Sequence, residues 1–437
     1  MKRERQPCLY FLERMIRECH KGDTMIERLR ERLRLLWQED RYRADIKQFV
    51  EFGLGYFVVL VVGYFLMRKI NLTLSEEEMG RFSYVSSLIM IVAPVLCLAA
   101  PQAYLRFHDD HRISRRLKAF LMPAYCLSAV LSSAIVYFFT KSWLAIAYAA
   151  YPFFLERTYC LRAQMETRKL NVLRICEILV PLAMIFALSG RVDITANNVL
   201  FFYGVGYGLS LLFGSRRVSD VAFDRRQVLT FLIPLVFTTL LMLVIGNAAV
   251  VMAKQFLGYE AAGKMGVAVR SLIFIRSMCT LFLMFYPMTY FREARKGRFG
   301  IIRIYRLCCV GCVGVFALVL IVFAPFVYRV LGAEVYADSV GLFRILVASE
   351  FANYLIDIYG AYFGLEIKTW KTAAVKGVAF AVLALGFVLL PNLDLPSANR
   401  LTAIAWVILA AAAVSSAAGL FWALSGERKF QKGLSRG

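Results

Sequence analysis

The sequence predicts an all-α polytopic membrane protein with about 12 transmembrane helices, and three observations carry that prediction. The 437 residues are 60% hydrophobic, with a mean hydropathy of +0.61, above the roughly 45–50% apolar content of a soluble domain. The apolar residues gather in runs long enough to cross a hydrocarbon core, which takes about 20 residues of helix. The turn between two such runs also occurs twice. Leu74, Glu77, Gly80 and Arg81 recur, in the same spacing and without a gap, as Leu257, Glu260, Gly263 and Lys264.

Residues 1–46 form a charged arm. Met25, Ile26, Leu29, Leu33 and Leu36 recur there at helical spacing among many arginines. That pattern suits an amphipathic helix on an anionic membrane surface, or equally a solvated extension packed on the cytosolic loops. Charge throughout the arm argues against a cleavable signal peptide.

Twelve apolar spans follow, near 48–67, 82–105, 119–139, 143–160, 170–189, 196–214, 228–253, 265–291, 304–328, 340–366, 373–391 and 401–424. The fourth is crowded by Glu156 and Arg157, and the fifth opens on Arg174 and Glu177. The repeated turn divides the spans into residues 47–227 and 228–425, with a basic tail at 426–437. Repeats on this scale are typical of secondary transporters, whose substrate path runs between the halves.

Lysine and arginine set the orientation. With the arm inside, the cytosolic segments hold about four basic residues for each one on the opposite loops, which places both termini in the cytoplasm. This bias also accounts for most of the net charge of +22 without nucleic acid as a partner. Most of the prolines (Pro94, Pro101, Pro123, Pro152, Pro181, Pro234, Pro287 and Pro325) fall in or beside spans, where a bend survives only if neighbouring groups satisfy the freed carbonyl. The ten cysteines lie mostly in apolar spans and read as small buried residues, as does the Cys308-Cys309-x-x-Cys312 group. Gly204-x-Gly206-x-Gly208 and Gly360-x-x-x-Gly364 read as close helix packing.

The outer loops are short, which weighs against a membrane glycosyltransferase or polymerase. No metal-ligand cluster stands out: His108-Asp109-Asp110-His111 sits in a basic cytosolic loop and reads as solvated. No catalytic residue is assigned.

The informative residues are ionisable groups at membrane depth, which usually face a water-filled path or a partner. Arg270 and Arg276 lie in the eighth span. In the tenth, Glu350, Asn353 and Asp357 share one helix face, widened by Ser349 and Tyr354. Thr239 and Asn247 lie on one face of the seventh, and Asn171, Arg174 and Glu177 in the fifth. Arg174 and Glu177 are expected to neutralise each other near the cytosolic interface. Arg270 and Arg276 either bridge to Glu350 and Asp357 or line a polar cavity between the halves, facing an anionic ligand to which guanidinium is suited.

With these elements in place, the chain resembles the polysaccharide-export branch of the multidrug/oligosaccharidyl-lipid/polysaccharide flippase superfamily. The likeness is carried by Leu74-Ser-Glu-Glu-Glu-Met-Gly80-Arg-Phe-Ser-Tyr, by Leu257-Gly-Tyr-Glu-Ala-Ala-Gly263-Lys-Met and by Leu331-Gly-Ala-Glu-Val-Tyr336, and covers about residues 47–425. The resemblance implies two six-helix bundles around a central cavity that opens alternately to either membrane face. It implies a flippase, without covalent chemistry, for a polyprenyl-pyrophosphate-linked oligosaccharide in a bacterial inner membrane. Arg270 and Arg276 would attract the pyrophosphate, Asn247, Asn353 and Tyr354 would line the cavity, and Glu350 or Asp357 would bind a coupling proton or sodium ion. No other cofactor is expected. Membrane lipids and other glycan-assembly membrane proteins are the further expected partners. A drug/cation antiporter on the same fold is the alternative. The absence of an acid from the seventh span, with only Glu51 at the entrance of the first, weighs against it.

Overall fold

The computed structural model describes residues 40–434 apart from 110–111, 165, 215–217, 220–223, 296, 298, 366–368 and 393–395. Residues 1–39, which make up most of the charged arm, lie outside this range. The last residues of the arm are already helical: the first helix, α1, runs Asp40–Thr73 and passes straight into the first span.

Two short turns then set the pattern of the molecule. Ser75 accepts the Glu78 N–H at the start of α2, Glu76–Leu96, whose first turn carries Glu76, Glu77 and Glu78 at the positive end of the helix dipole. Pro94 lies in the last turn of α2, and Leu98 and Ala99 adopt left-handed backbone before α3, Ala100–Arg106, resumes the span. Pro101 takes the first turn of α3, where the missing N–H costs nothing. Two strands follow, β1 at His108–Asp109 and β2 at Arg112–Ser114. The third span is α4, Arg115–Thr140.

The fourth span is a 3-10 segment, Leu144–Ala150, continued by α5, Tyr151–Ala163, and the sixth is α7, Ala196–Gly208, continued by a 3-10 turn at Leu209–Leu212. Between them, α6 spans Thr167–Leu188. The fourth and sixth spans are thus broken, whereas the charged fifth is a continuous helix. The two spans press closely together: a Cβ on Gly204, within α7, would run into the backbone of Ala147 in the 3-10 segment.

Strand β3, Val218–Ser219, pairs in parallel with β2, which pairs antiparallel with β1. The connection between the repeats is thereby stitched to the loop after α3. The second repeat opens with α8, Arg225–Leu257, which carries Pro234. The eighth span is α9, Tyr259–Ser271, and α10, Ile273–Arg295, with a break at Leu272. Then come α11, Phe299–Val322, the short α12, Ala324–Val330, a 3-10 turn at Glu334–Ser339, α13, Val340–Leu365, α14, Thr369–Leu389, and α15, Ser397–Leu434.

Among the described residues, ten helices are long and apolar enough to cross a membrane. The two spans missing from that number are the broken fourth and sixth. Packing in the second repeat follows the first. The first span lies on the fifth (α1 on α6) as the seventh lies on the eleventh (α8 on α14), and the fourth lies on the sixth as the tenth lies on the twelfth (α13 on α15). The repeats meet where α2 packs along α9 and α8. Lipid-facing positions are apolar and often large, including Phe57, Phe138, Leu212, Ile233, Leu318 and Phe421. Cys309 is buried, but Cys308 and Cys312 are exposed on α11, so that group does not form the single buried face expected. Gly360 meets only the Phe363 ring, at ordinary contact distance, and marks no close helix approach.

Candidate functional site

The repeated turns meet each other. At Gly80 a Cβ would overlap the carbonyl oxygen of Tyr259, and at Gly263 it would overlap that of Glu76. Gly266 presses in the same way on the Ser83 side chain. Only glycine lets the α2 and α9 backbones approach so closely. Polar contacts surround the seam. Lys264 Nζ lies 2.5 Å from Asp338 and 3.8 Å from Glu76, and Lys254 stands over the Tyr84 and Tyr259 rings. Glu78 accepts the Ala196 N–H at 2.6 Å, capping α7. At the same end, Tyr64, Arg68 and Asn71 of α1 donate to the carbonyls of Val330 and Leu331. The end that carries the repeated turns is therefore shut.

Behind this seam the two arginines expected to act together go separate ways. Arg270 leaves α9 toward the first repeat. Its guanidinium lies 3.9 Å from the centre of the Phe82 ring, Nη1 reaches the Met79 thioether at 3.2 Å, and Nη2 is buried with no hydrogen-bond partner. No carboxylate pairs with it among the described residues. Phe82 stacks on Tyr203 at 5.7 Å, and Tyr203 belongs to an aromatic group with Tyr148, Tyr151, Phe154 and Tyr207.

Glu177 of α6 is also near that group, close enough to Tyr148, Tyr151, Tyr203 and Tyr207 to interact with each electrostatically. It lies ten residues into its helix, about 15 Å along it. Arg174, one turn away, is the charge that acts on it electrostatically, as the sequence suggests, though through space and not by contact. The Arg174 guanidinium sits over the Tyr56 ring at 5.3 Å, and no ion pair joins it to Glu177 among the described residues. The first repeat thus holds a packed aromatic cluster with a carboxylate and a guanidinium both near it. Tyr148, Tyr151, Tyr203 and Tyr207 were not singled out from the sequence, although their three- and four-residue spacings place each pair on one helix face.

Arg276, beyond the break, turns into the second repeat. Its Nε donates to Glu350 Oε1 at 2.7 Å, and Nη2 contacts the same oxygen. Asp357, two turns further along α13, lies 3.8 Å from Lys376 of α14. Glu350 and Asp357 each therefore face a base, which bears on their expected role as free ion-coupling carboxylates. Asn247 spends its amide on the Leu243 carbonyl of its own helix, and Asn353 is half-buried on the stripe. Tyr354 departs from expectation: it is buried, and its hydroxyl donates toward the Cys309 carbonyl, so it does not line a cavity. Toward the far end of this repeat, Arg306 and Glu427 form a buried ion pair, joined by the hydroxyls of Tyr286 and Tyr290.

Solved structures match this arrangement across nearly the whole chain. A MATE transporter in the straight conformation covers 88% of this chain with 97% of its own length, at 13% identity and a TM-score of 0.64. The fold is that of the MATE transporters. An outward-facing multidrug resistance MATE family transporter of the MOP superfamily matches over 88% of this chain and 96% of its own, with 12% identity and a TM-score of 0.61. A third MATE-fold neighbour, a MOP superfamily transporter from Pyrococcus furiosus, is described as having a binding pocket of reverse polarity. It matches with 14% identity, 88% and 96% coverage and a TM-score of 0.59. No protein-family model matches the chain, and no curated protein matches it in sequence. At such identities the likeness shows the fold, and the MATE fold agrees with the helical bundle read from the sequence. The polysaccharide branch has no support among these neighbours.

Proposed function

We propose that the chain is a secondary transporter that exports amphipathic organic cations by alternating access, in exchange for protons or sodium ions. The observation that carries this reading is Glu177, an acid that makes no ion-pair contact among the described residues and lies beside a cluster of tyrosines in the bundle. A carboxylate at membrane depth is costly and marks an ion or substrate path. Aromatic faces bind organic cations, and one carboxylate can hold a proton and a cation in turn. The acid found missing from the seventh span is thus supplied from the fifth. The neighbours' descriptions as multidrug transporters support the same reading over a flippase for lipid-linked oligosaccharide.

In this reading the two repeats are the moving halves, residues 47–227 and 228–425. The seam at Gly80 and Gly263 is the outer gate, both termini lie in the cytoplasm, and the membrane is the plasma membrane. The chain moves solute without breaking a covalent bond. Drug-sensitive cells producing it should accumulate less ethidium, and Glu177→Gln should restore accumulation at equal membrane abundance.

Arg270 favours a second reading, in which the cargo is a lipid-linked pyrophosphate. A buried guanidinium whose Nη2 has no hydrogen-bond partner among the described residues is suited to an anion. Ethidium accumulation would then be unaffected, and Arg270→Ala would abolish surface-glycan display.

A further inference from the structure

Of the ion pairs in the second repeat that the cation-export reading does not use, two have one partly exposed member, and they are built in opposite senses. In the first, Arg276 and Glu350, the cation is the more exposed member, with 41% of its side chain accessible against 20%. In the second, Asp357 and Lys376, the anion is exposed, 43% against 7%. All four residues lie in membrane-spanning helices, α10, α13 and α14. A charged side chain exposed at that depth faces a water-filled path rather than hydrocarbon.

The wall of the second repeat therefore presents a guanidinium and a carboxylate to the path, each with its counter-charge set behind it. Glu350 and Asp357 are seven residues apart on α13, about 10 Å along the helix and on nearly the same face. Arg276 engages Glu350 through Nε and Nη2, which leaves Nη1 for a ligand oxygen. Asp357 and Lys376, at 3.8 Å, are too far apart for a hydrogen bond, so the carboxylate oxygens remain open to a second cation. A ligand with one charge would satisfy one end of this wall and leave the other unmatched.

We propose that this wall is a binding site for zwitterionic amphiphiles. Arg276 takes the phosphate or carboxylate of the head group, and Asp357 takes its ammonium. The proposal extends the transporter reading by naming a class of solute for its second repeat, and its test reads binding alone. A failed transport assay therefore leaves it standing, and failed binding leaves cation export standing.

The experiment is calorimetric titration of the full chain in nanodiscs of phosphatidylglycerol, which lack ammonium head groups. The probes are hexylphosphocholine, hexyl phosphate and hexyltrimethylammonium. Hexylphosphocholine should bind about tenfold more tightly than either singly charged probe, the scale of one added charge contact. Asp357→Asn should weaken hexylphosphocholine and hexyltrimethylammonium and spare hexyl phosphate. The double variant Arg276→Gln/Glu350→Gln, which leaves no carboxylate stranded, should weaken hexylphosphocholine and hexyl phosphate and spare the cation. Asp357→Glu should restore binding, and the double variant Asp357→Asn/Lys376→Gln guards against a folding defect in Asp357→Asn.

Glycerophosphocholine separates two sources of the same chemistry. Affinity equal to that of hexylphosphocholine points to a soluble zwitterion, and much weaker affinity to a lipid-like one. The proposal is overturned if the zwitterion binds no better than the tighter singly charged probe. It is also overturned if folded variants bind as the wild type does, in which case both pairs only hold helices together.

Discussion

Gly80 and Gly263, equivalent positions of the repeated turn, lie against each other's helix so closely that neither has room for a Cβ. The carbonyls of Tyr259 and Glu76 occupy that space. A motif recognised as a repetition in sequence is thus a self-contact in space, on the line where the repeats meet.

This contact should exist in one state of the cycle only. Gly80→Ala or Gly263→Ala would overpack the seam, at a cost of about 1–3 kcal/mol, and shift the population toward the form open at that end by about 5- to 150-fold. Spin labels placed on α2 and α9 should report a longer distance in both variants, with little loss of thermal stability, since the open form does not make the contact. An unchanged distance distribution would mean that the seam is permanent.

The two arginines of the eighth span should differ in stability as they differ in contact. Arg276→Ala strands the Glu350 carboxylate and should lower the melting temperature in detergent, whereas Arg270→Ala strands no carboxylate and should leave it unchanged or raise it. Equal losses in the two variants would contradict the separation of their roles.

The Arg306–Glu427 pair tests how the far end of the second repeat is held. Both side chains are buried, at 5% and 7% accessible. Arg306→Met should cost about 3–5 kcal/mol by leaving Glu427 buried and uncompensated, and adding Glu427→Leu should recover most of the loss. Thermal unfolding of the single and double variants measures both effects. A single variant as stable as the wild type would contradict the expected cost.

Much of the fold was legible because lipid imposes a simple rule. Helices must run long and apolar, and the spans at 228–253 and 401–424 announce α8 and α15 by that property alone. In the fourth and sixth spans hydropathy is blind to the 3-10 segments at Leu144–Ala150 and Leu209–Leu212. Of the two readings open for the arginines, the bridge to Glu350 holds for Arg276 and not for Arg270, for a reason present in the numbering. Six residues separate Arg270 from Arg276, about 120° around a helix, and the break at Leu272 adds to the divergence. Glu177 was set aside because Arg174 lies one turn away, the spacing of an ion pair. The structure instead sends Arg174 to Tyr56 and leaves Glu177 beside the tyrosines. Tyr354 sat on the polar stripe of α13, yet its hydroxyl turns to α11. Spacing places a residue on a face, but the neighbouring helix decides what that face meets.

The most direct measurement is ethidium transport by the purified chain in proteoliposomes under an imposed proton gradient and, separately, a sodium gradient. The expected result is gradient-driven movement by the wild-type chain that Glu177→Gln abolishes. Movement that survives Glu177→Gln, or no movement under either gradient, would contradict a cation exporter built on Glu177 and the tyrosines beside it.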